Sequence, residues 1–288
     1  MNLLKKVTVV IVLYKETIDI ISTTLNEIKD LDIIIVDNDS NNELKNAICS
    51  EFNIKKYILN KKNVGFSAGY NQGIKLSKNE FILILGPDCI ISKQSIETLL
   101  KKYEKYSNAV IVAPTSYDKN KNLSYTGGLL PENGDKNLIL TIDGDACVES
   151  VLGSCMLLKK KDTINDQLFF DENFFLYFSD DDLCRRVKKN KNAVIQTKDA
   201  TCVHQHGIIK VKNKYEKIFI RNFHYNYDQF YYFFKANKHG ELISSFERKS
   251  NKLYLKFIIK LLLFRFSDCV SIISRLFAYY KFKSKYLN

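Results

Sequence analysis

Three consecutive carboxylates, Asp180, Asp181 and Asp182, directly follow an aromatic run in L-F-F-D-E-N-F-F-L-Y-F-S-D-D-D-L-C-R-R-V, residues 168–187. Like charges crowded beside an apolar wall resist ionisation, which could raise the pKa of one of them into the range a proton acceptor needs. The same residues also fit a helix capped by Ser179, with the acids in its first turn where the helix dipole favours negative charge. Capping accounts for the acids but not for the aromatic run before them. Other polar groups stand at the ends of apolar runs: Asp37 and Asn38 in I-I-V-D-N-D-S, Asp88 in I-L-I-L-G-P-D-C, and His204 and His206 in C-V-H-Q-H-G. Each has a plain alternative. Asp37 can open a turn in which Ser40 caps the next helix, G-P-D is an ordinary turn, and a histidine is usually structural.

The segment N-V-G-F-S-A-G-Y-N-Q-G contains Asn63, Phe66 and Asn71 among the glycines Gly65, Gly69 and Gly73. Glycines four apart share one helix face and let backbone or ligand approach closely. Each interior glycine costs about 1 kcal/mol against alanine, so three of them predict a ligand or a very tight contact.

Taken in order, these segments resemble glycosyltransferase family 2 with its GT-A fold, over roughly residues 6–235. The resemblance implies that Tyr14, Asp37, Asn38, Asn63, Gly65, Phe66 and Asn71 line a nucleoside-diphosphate-sugar site, with Tyr14 against the base. It implies that Asp88 holds a divalent cation, Mg²⁺ or Mn²⁺, bridging the diphosphate, with His204 as a further ligand. In F-D-E-x-F-F-x-Y-F-E-D-x-D-L-C-x-R the first Asp after the acidic position is the general base, which falls on Asp180. Asp182, Arg186 and Gly153 of G-S-C-M-L-L-K match the acceptor side. Gly86 replaces the usual acid or amide before Asp88, and Ser179 the usual Glu. These departures motivate an alternative, a non-catalytic glycan- or membrane-binding protein on a degenerate transferase fold. A nucleotidyltransferase is a further alternative, against which the first strand lacks the Gly-rich loop. The motif combination looks most like rhamnosyltransferases of O-antigen or capsule assembly. The expected reaction is inverting transfer, with dTDP-rhamnose as a donor, to a lipid-linked or surface glycan of lipopolysaccharide or capsule type.

The elements that must hold these groups are legible as a pattern. Val7 to Leu13, Ile33 to Val36, Lys56 to Leu59, Phe81 to Leu85 and Ala109 to Ala113 are apolar, β-branched runs separated by polar periodic stretches. Such alternation predicts an α/β fold, a Rossmann-like, mostly parallel sheet flanked by helices, with ligands beyond the carboxyl ends of its strands. Residues 115–150, rich in glycine and polar groups, read as loops and hairpins. Long aromatic, basic helices follow from Tyr215, with a break near Asn237 to Gly240. The expected domains are a catalytic domain over 1–235, with a nucleotide-sugar half to about 114 and an acceptor half from about 115, and a helical region over 236–288.

The 288-residue chain, 45% hydrophobic, is long enough for a full core. Its formal charge of +12 is concentrated at the end, where residues 248–288 hold ten Lys or Arg against Asp268. The stripe from Leu253 to Phe282 offers no uncharged span of about 18 residues, which argues against a transmembrane helix. A basic amphipathic helix on an anionic membrane fits better. The stripe could instead pack on the catalytic domain or form a homo-oligomer; nucleic acid fits least. The opening apolar run is too short for a span and lacks a cleavage site, which predicts a cytoplasmic protein, peripheral on the inner face of the membrane. The seven cysteines contain no C-x-x-C pair and read as buried, reduced thiols.

Overall fold

The computed structural model describes residues 3–125, 128–134, 141–165, 169–205 and 213–287. By its internal contacts the chain forms two compact units, one of residues 1–172 and 179–210, the other of residues 173–178 and 211–288.

The first unit is an α/β layer structure. After a short 3₁₀ turn, strands β1 (Val7–Leu13), β2 (Asp32–Asp37), β3 (Lys56–Leu59) and β4 (Phe81–Leu85) alternate with helices α1 (Ile18–Ile28), α2 (Asn42–Glu51) and α3 (Gly65–Leu76). There follow β5 (Cys89–Ile91), α4 (Lys93–Lys105), β6 (Ala109–Tyr117), β7 (Leu123–Tyr125), β8 (Asp145–Cys147), β9 (Cys155–Lys159), α5 (Lys160–Asn165), α6 (Ser179–Lys189) and β10 (Ala193–His204). The sheet runs β3-β2-β1-β4-β9-β6-β10-β5, with β7 beside β6 and β8 beside β10. Its N-terminal half is parallel, β1 pairing with both β2 and β4. From β9 onward it is mixed: β9 runs antiparallel to β4 and β6, whereas β6 and β10 are parallel.

The apolar runs lack strict alternation because both faces of the sheet are covered. Val7, Val9 and Ile11 of β1, Leu83 of β4 and Leu157 of β9 pack with Ile21, Leu25 and Ile28 of α1 and Leu99 of α4. Val10, Ile82, Ile84, Met156 and Leu158 point the other way, onto Tyr70 and Ile74 of α3 and Leu183, Cys184 and Val187 of α6. Two of the three glycines explain how α3 sits so near the sheet. A Cβ at Gly73 would lie 2.2 Å from Val10 Cγ1, and one at Gly69 would lie 2.9 Å from Val12 Cγ1. The very tight contact expected from their spacing is thus helix on strand.

The second unit consists of α7 (Lys214–Lys235), α8 (His239–Leu262) and α9 (Phe266–Tyr286) with the segment Asn173–Phe178. Residues 213–235, grouped with the first domain by sequence, here share an aromatic core with the C-terminal helices. Phe230 meets Phe246 edge to face at 5.3 Å and stacks on Phe282 at 5.6 Å. Phe174 and Phe178 are buried in the same cluster. Asp228 fixes their segment by accepting hydrogen bonds from the backbone N–H groups of Phe175, Leu176 and Tyr177. Burial holds its carboxyl at about 6 despite these three donors.

Candidate active site

The site residues lie in the first unit, where loops leave the ends of strands. Asp37, at the tip of β2 and 1% exposed, accepts hydrogen bonds from Asp39 N at 2.7 Å, Asn41 N at 3.1 Å and Tyr57 Oη at 3.2 Å. Its neighbour Asn38 donates from Nδ2 to Gly65 O at 3.1 Å and accepts from Asn60 Nδ2 at 2.9 Å. The helix cap here is Asn41, whose side chain accepts from Leu44 N, and not Ser40, which adopts a positive φ and donates to Asn60 O. Asn63 accepts from Gly65 N at 2.9 Å, and Gly65 takes φ +86°, which a side chain would disfavour. Asn71 faces away from this cluster: it holds Phe170 through paired backbone hydrogen bonds at 2.8 and 3.0 Å and also donates to Glu172. Tyr14 follows β1, half-buried, with the Lys15 ammonium 5.2 Å from its ring centre.

Two carboxylates flank the dipeptide Gly153–Ser154. On one side Gly153 N donates to Asp180 Oδ2 at 2.8 Å. A Cβ on Gly153 would lie 3.0 Å from that oxygen and 3.1 Å from Phe66 Cζ, so only glycine lets the three meet unforced. On the other side Ser154 O accepts from Gly86 N at 2.7 Å, which anchors the turn bearing Asp88. Asp88 Oδ1 stands 3.2 Å from His204 Nε2 at the end of β10. His206 and Gly207 lie outside the described residues.

Electrostatics separates the acids of α6. Burial pushes the Asp180 carboxyl above the ordinary carboxylate range, against opposing hydrogen bonds from the backbone of Gly153 and Asp181. Desolvation thus does what crowding of three acids was expected to do. Its neighbours are otherwise engaged: Asp181 accepts from Ser150 Oγ, and fully buried Asp182 pairs with Arg185 at 3.0 Å and Arg186 at 2.8 Å. Arg186 also donates to Phe169 O at 2.6 Å, so Asp182 and Arg186 brace the base of the helix.

Sequence reasoning missed Glu16. It is 8% exposed and its carboxyl is pushed up to about 7, first by burial and then by the Asp88 charge. Its position just past the end of a central parallel strand was the available signal. An acid with a raised folded pKa binds more protons folded than unfolded, so its contribution falls as pH rises from about 4.5 to about 7. In chelator-treated protein, Glu16→Gln should therefore raise Tm relative to wild type at pH 8 and leave it unchanged at pH 4. Equal Tm values at both pH values would show that Glu16 is not buried as an acid.

The cysteines are not uniformly buried, contrary to the expectation from their scatter. All seven are free, but Cys49 and Cys147 are exposed. Buried Cys89, Cys155 and Cys202, which sit on three different strands, bring their sulfurs within 4.8 Å of one another. The fold gathers them from β5, β9 and β10, which no linear spacing could reveal.

The sequence profile described as glycosyl transferase family 2 matches residues 8–162. The low-salt glycan biosynthesis hexosyltransferase Agl10 of Haloferax volcanii is 27% identical over 223 residues, 72% of this chain and 69% of that protein. An uncharacterized glycosyltransferase of Rickettsia conorii is 34% identical over 120 residues, 40% of this chain and 19% of its own. Among solved structures, GalNAc-T7 with UDP, GalNAc and Mn²⁺ superposes with a TM-score of 0.57 at 12% identity, covering 78% of this chain. Staphylococcus aureus TarS does so at 0.55 and 14%, covering 81%. The chain spans 50% and 43% of those two proteins. The profile match covers more than half of the chain, and the chain therefore belongs to glycosyl transferase family 2.

Proposed function

We propose that the protein transfers a sugar, with inversion, from a nucleoside-diphosphate donor to a hydroxyl of a lipid-linked or surface glycan, at the cytoplasmic face of a membrane. The observation that carries this reading is the Asp180 carboxylate, held by Gly153 N–H and raised in pKa by burial on one side of a dipeptide whose other side anchors the Asp88 turn. In this reading Asp180 takes the acceptor proton as the acceptor oxygen bonds to the anomeric carbon and the bond to the diphosphate breaks. Attack opposite the leaving group inverts that carbon.

The Asp88 oxygen and His204 nitrogen, 3.2 Å apart on separate elements, fit a divalent cation that takes its other ligands from phosphate and water. Such a cation would neutralise the leaving diphosphate. Asp88 and His204 would hold it, Glu16 would add negative charge nearby, and the loops bearing Tyr14, Asp37, Asn38 and Asn63 to Phe66 would orient the donor. GalNAc-T7, solved with UDP and Mn²⁺, supports this by analogy of fold. We take dTDP-rhamnose as the first donor to try and an O-antigen or capsular glycan as the acceptor, from the motif resemblance, and Agl10's name supports a hexose as the second choice.

A screen of UDP-, dTDP- and GDP-sugars with and without Mn²⁺ or Mg²⁺, read by thermal shift and donor hydrolysis, tests the proposal. One donor should raise Tm only with a cation and be slowly hydrolysed. Absence of any shift with all donors would leave a glycan-binding protein on a transferase fold as the surviving reading.

A further inference from the structure

The turn between α8 and α9 presents to solvent the side chains that a soluble hairpin hides. Leu262, Leu263 and Phe264 are 73%, 61% and 77% exposed, and Phe266, Leu255 and Ile258 continue the apolar surface along both helices. Phe264 holds φ +54°, a conformation left-handed turns usually give to glycine or asparagine. A phenylalanine there trades backbone comfort for an outward ring.

Charge selects the occupant. From Arg248 to the C-terminus the chain carries ten basic residues and one acid, Asp268, which is already paired with Lys260 at 3.2 Å and Arg265 at 2.7 Å. A second copy would therefore bring cations against cations. Exposed Lys252 and Lys256 lie on α8 behind the tip, Lys256 about 9 Å of helix from Leu262. That matches the roughly 5–10 Å between lipid headgroups and the depth reached by an interfacial apolar surface. Among the described residues no helix is long and apolar enough to cross a membrane, so the tip can enter one leaflet only.

We propose that the α8–α9 hairpin docks the protein on an anionic bilayer, the Leu262–Phe264 tip entering the headgroup–acyl boundary while Lys252 and Lys256 meet lipid phosphates. This assigns a surface to the peripheral membrane reading above, on which it rests, and is independent of catalysis. The test is co-sedimentation of the full chain with vesicles of phosphatidylcholine, alone or mixed with phosphatidylglycerol. Wild type should bind the mixed vesicles, less so as salt rises. Leu262→Asp with Phe264→Asp should weaken that binding roughly tenfold or more. Lys252→Glu with Lys256→Glu should remove the preference for phosphatidylglycerol. Donor hydrolysis without lipid should be unchanged in both pairs, and because all four positions are exposed their Tm should match wild type. If wild type binds and the tip variant binds equally well, the hairpin assignment falls while the peripheral reading stands. If wild type binds no vesicle, both fall. If it is instead a dimer in lipid-free buffer that the tip variant splits, the occupant is a second copy and the proposal is overturned.

Discussion

Asp180→Asn should lower kcat by about 10²–10⁴-fold while leaving donor affinity, read by thermal shift, unchanged. Asparagine keeps the shape and can still accept from Gly153 N–H, so the loss would report the missing base and not a collapsed loop. Burial raises the wild-type carboxyl, and only its ionised form accepts a proton. The acid limb of kcat/KM should therefore lie above the usual carboxylate range, with activity rising with pH through it. A variant retaining activity within about threefold of wild type would remove Asp180 from the mechanism, since even weak general bases contribute more than that.

Gly73→Ala should destabilise the fold, although alanine is the better helix former by about 1 kcal/mol. The added methyl would overlap Val10 Cγ1 at 2.2 Å in a layer covered on both faces, and overpacking of this kind costs about 1–3 kcal/mol. Gly240, near the start of α8, has nothing within 4 Å of the point a Cβ would occupy, so Gly240→Ala should stabilise by about 0.5–1 kcal/mol. Combining Gly73→Ala with Val10→Ala should recover part of the loss by removing the clashing atom. Urea unfolding of wild type and the three variants reads all three signs; a Gly73→Ala as stable as wild type would mean that α3 can step away from β1.

These glycines mark how far the sequence carries. Strands such as Val7–Leu13 and Phe81–Leu85 coincide with their apolar runs because length and β-branching suffice to define a doubly covered strand. Asp180 and Asp88 stand out in the sequence as candidates because each follows an apolar run, and the fold brings the loops that bear them to one dipeptide, Gly153–Ser154. Glu16 was not, since only tertiary burial makes it unusual. The F-F-L-Y-F run argued for catalysis at the sequence level, yet Phe174 and Phe178 pack in the aromatic core and Asp228 binds the backbone between them. Packing explains that run without chemistry. The single amphipathic stripe expected from Leu253 to Phe282 is two helices, because L-L-L-F-R-F turns at Leu263 to Arg265 with no glycine or proline to announce it.

The grip of Asp228 on residues 175–177 also bears on the order in which the chain can fold as it is made. Leu176 finds its acceptor 52 residues downstream, after α6 and β10 have already been synthesised. At translation rates of roughly 5–20 residues per second, that leaves the segment waiting about 3–10 s for its partner. During that interval Phe174 and Phe178 lack the core that buries them, so a ribosome-bound chain ending before α7 should be the one that chaperones hold.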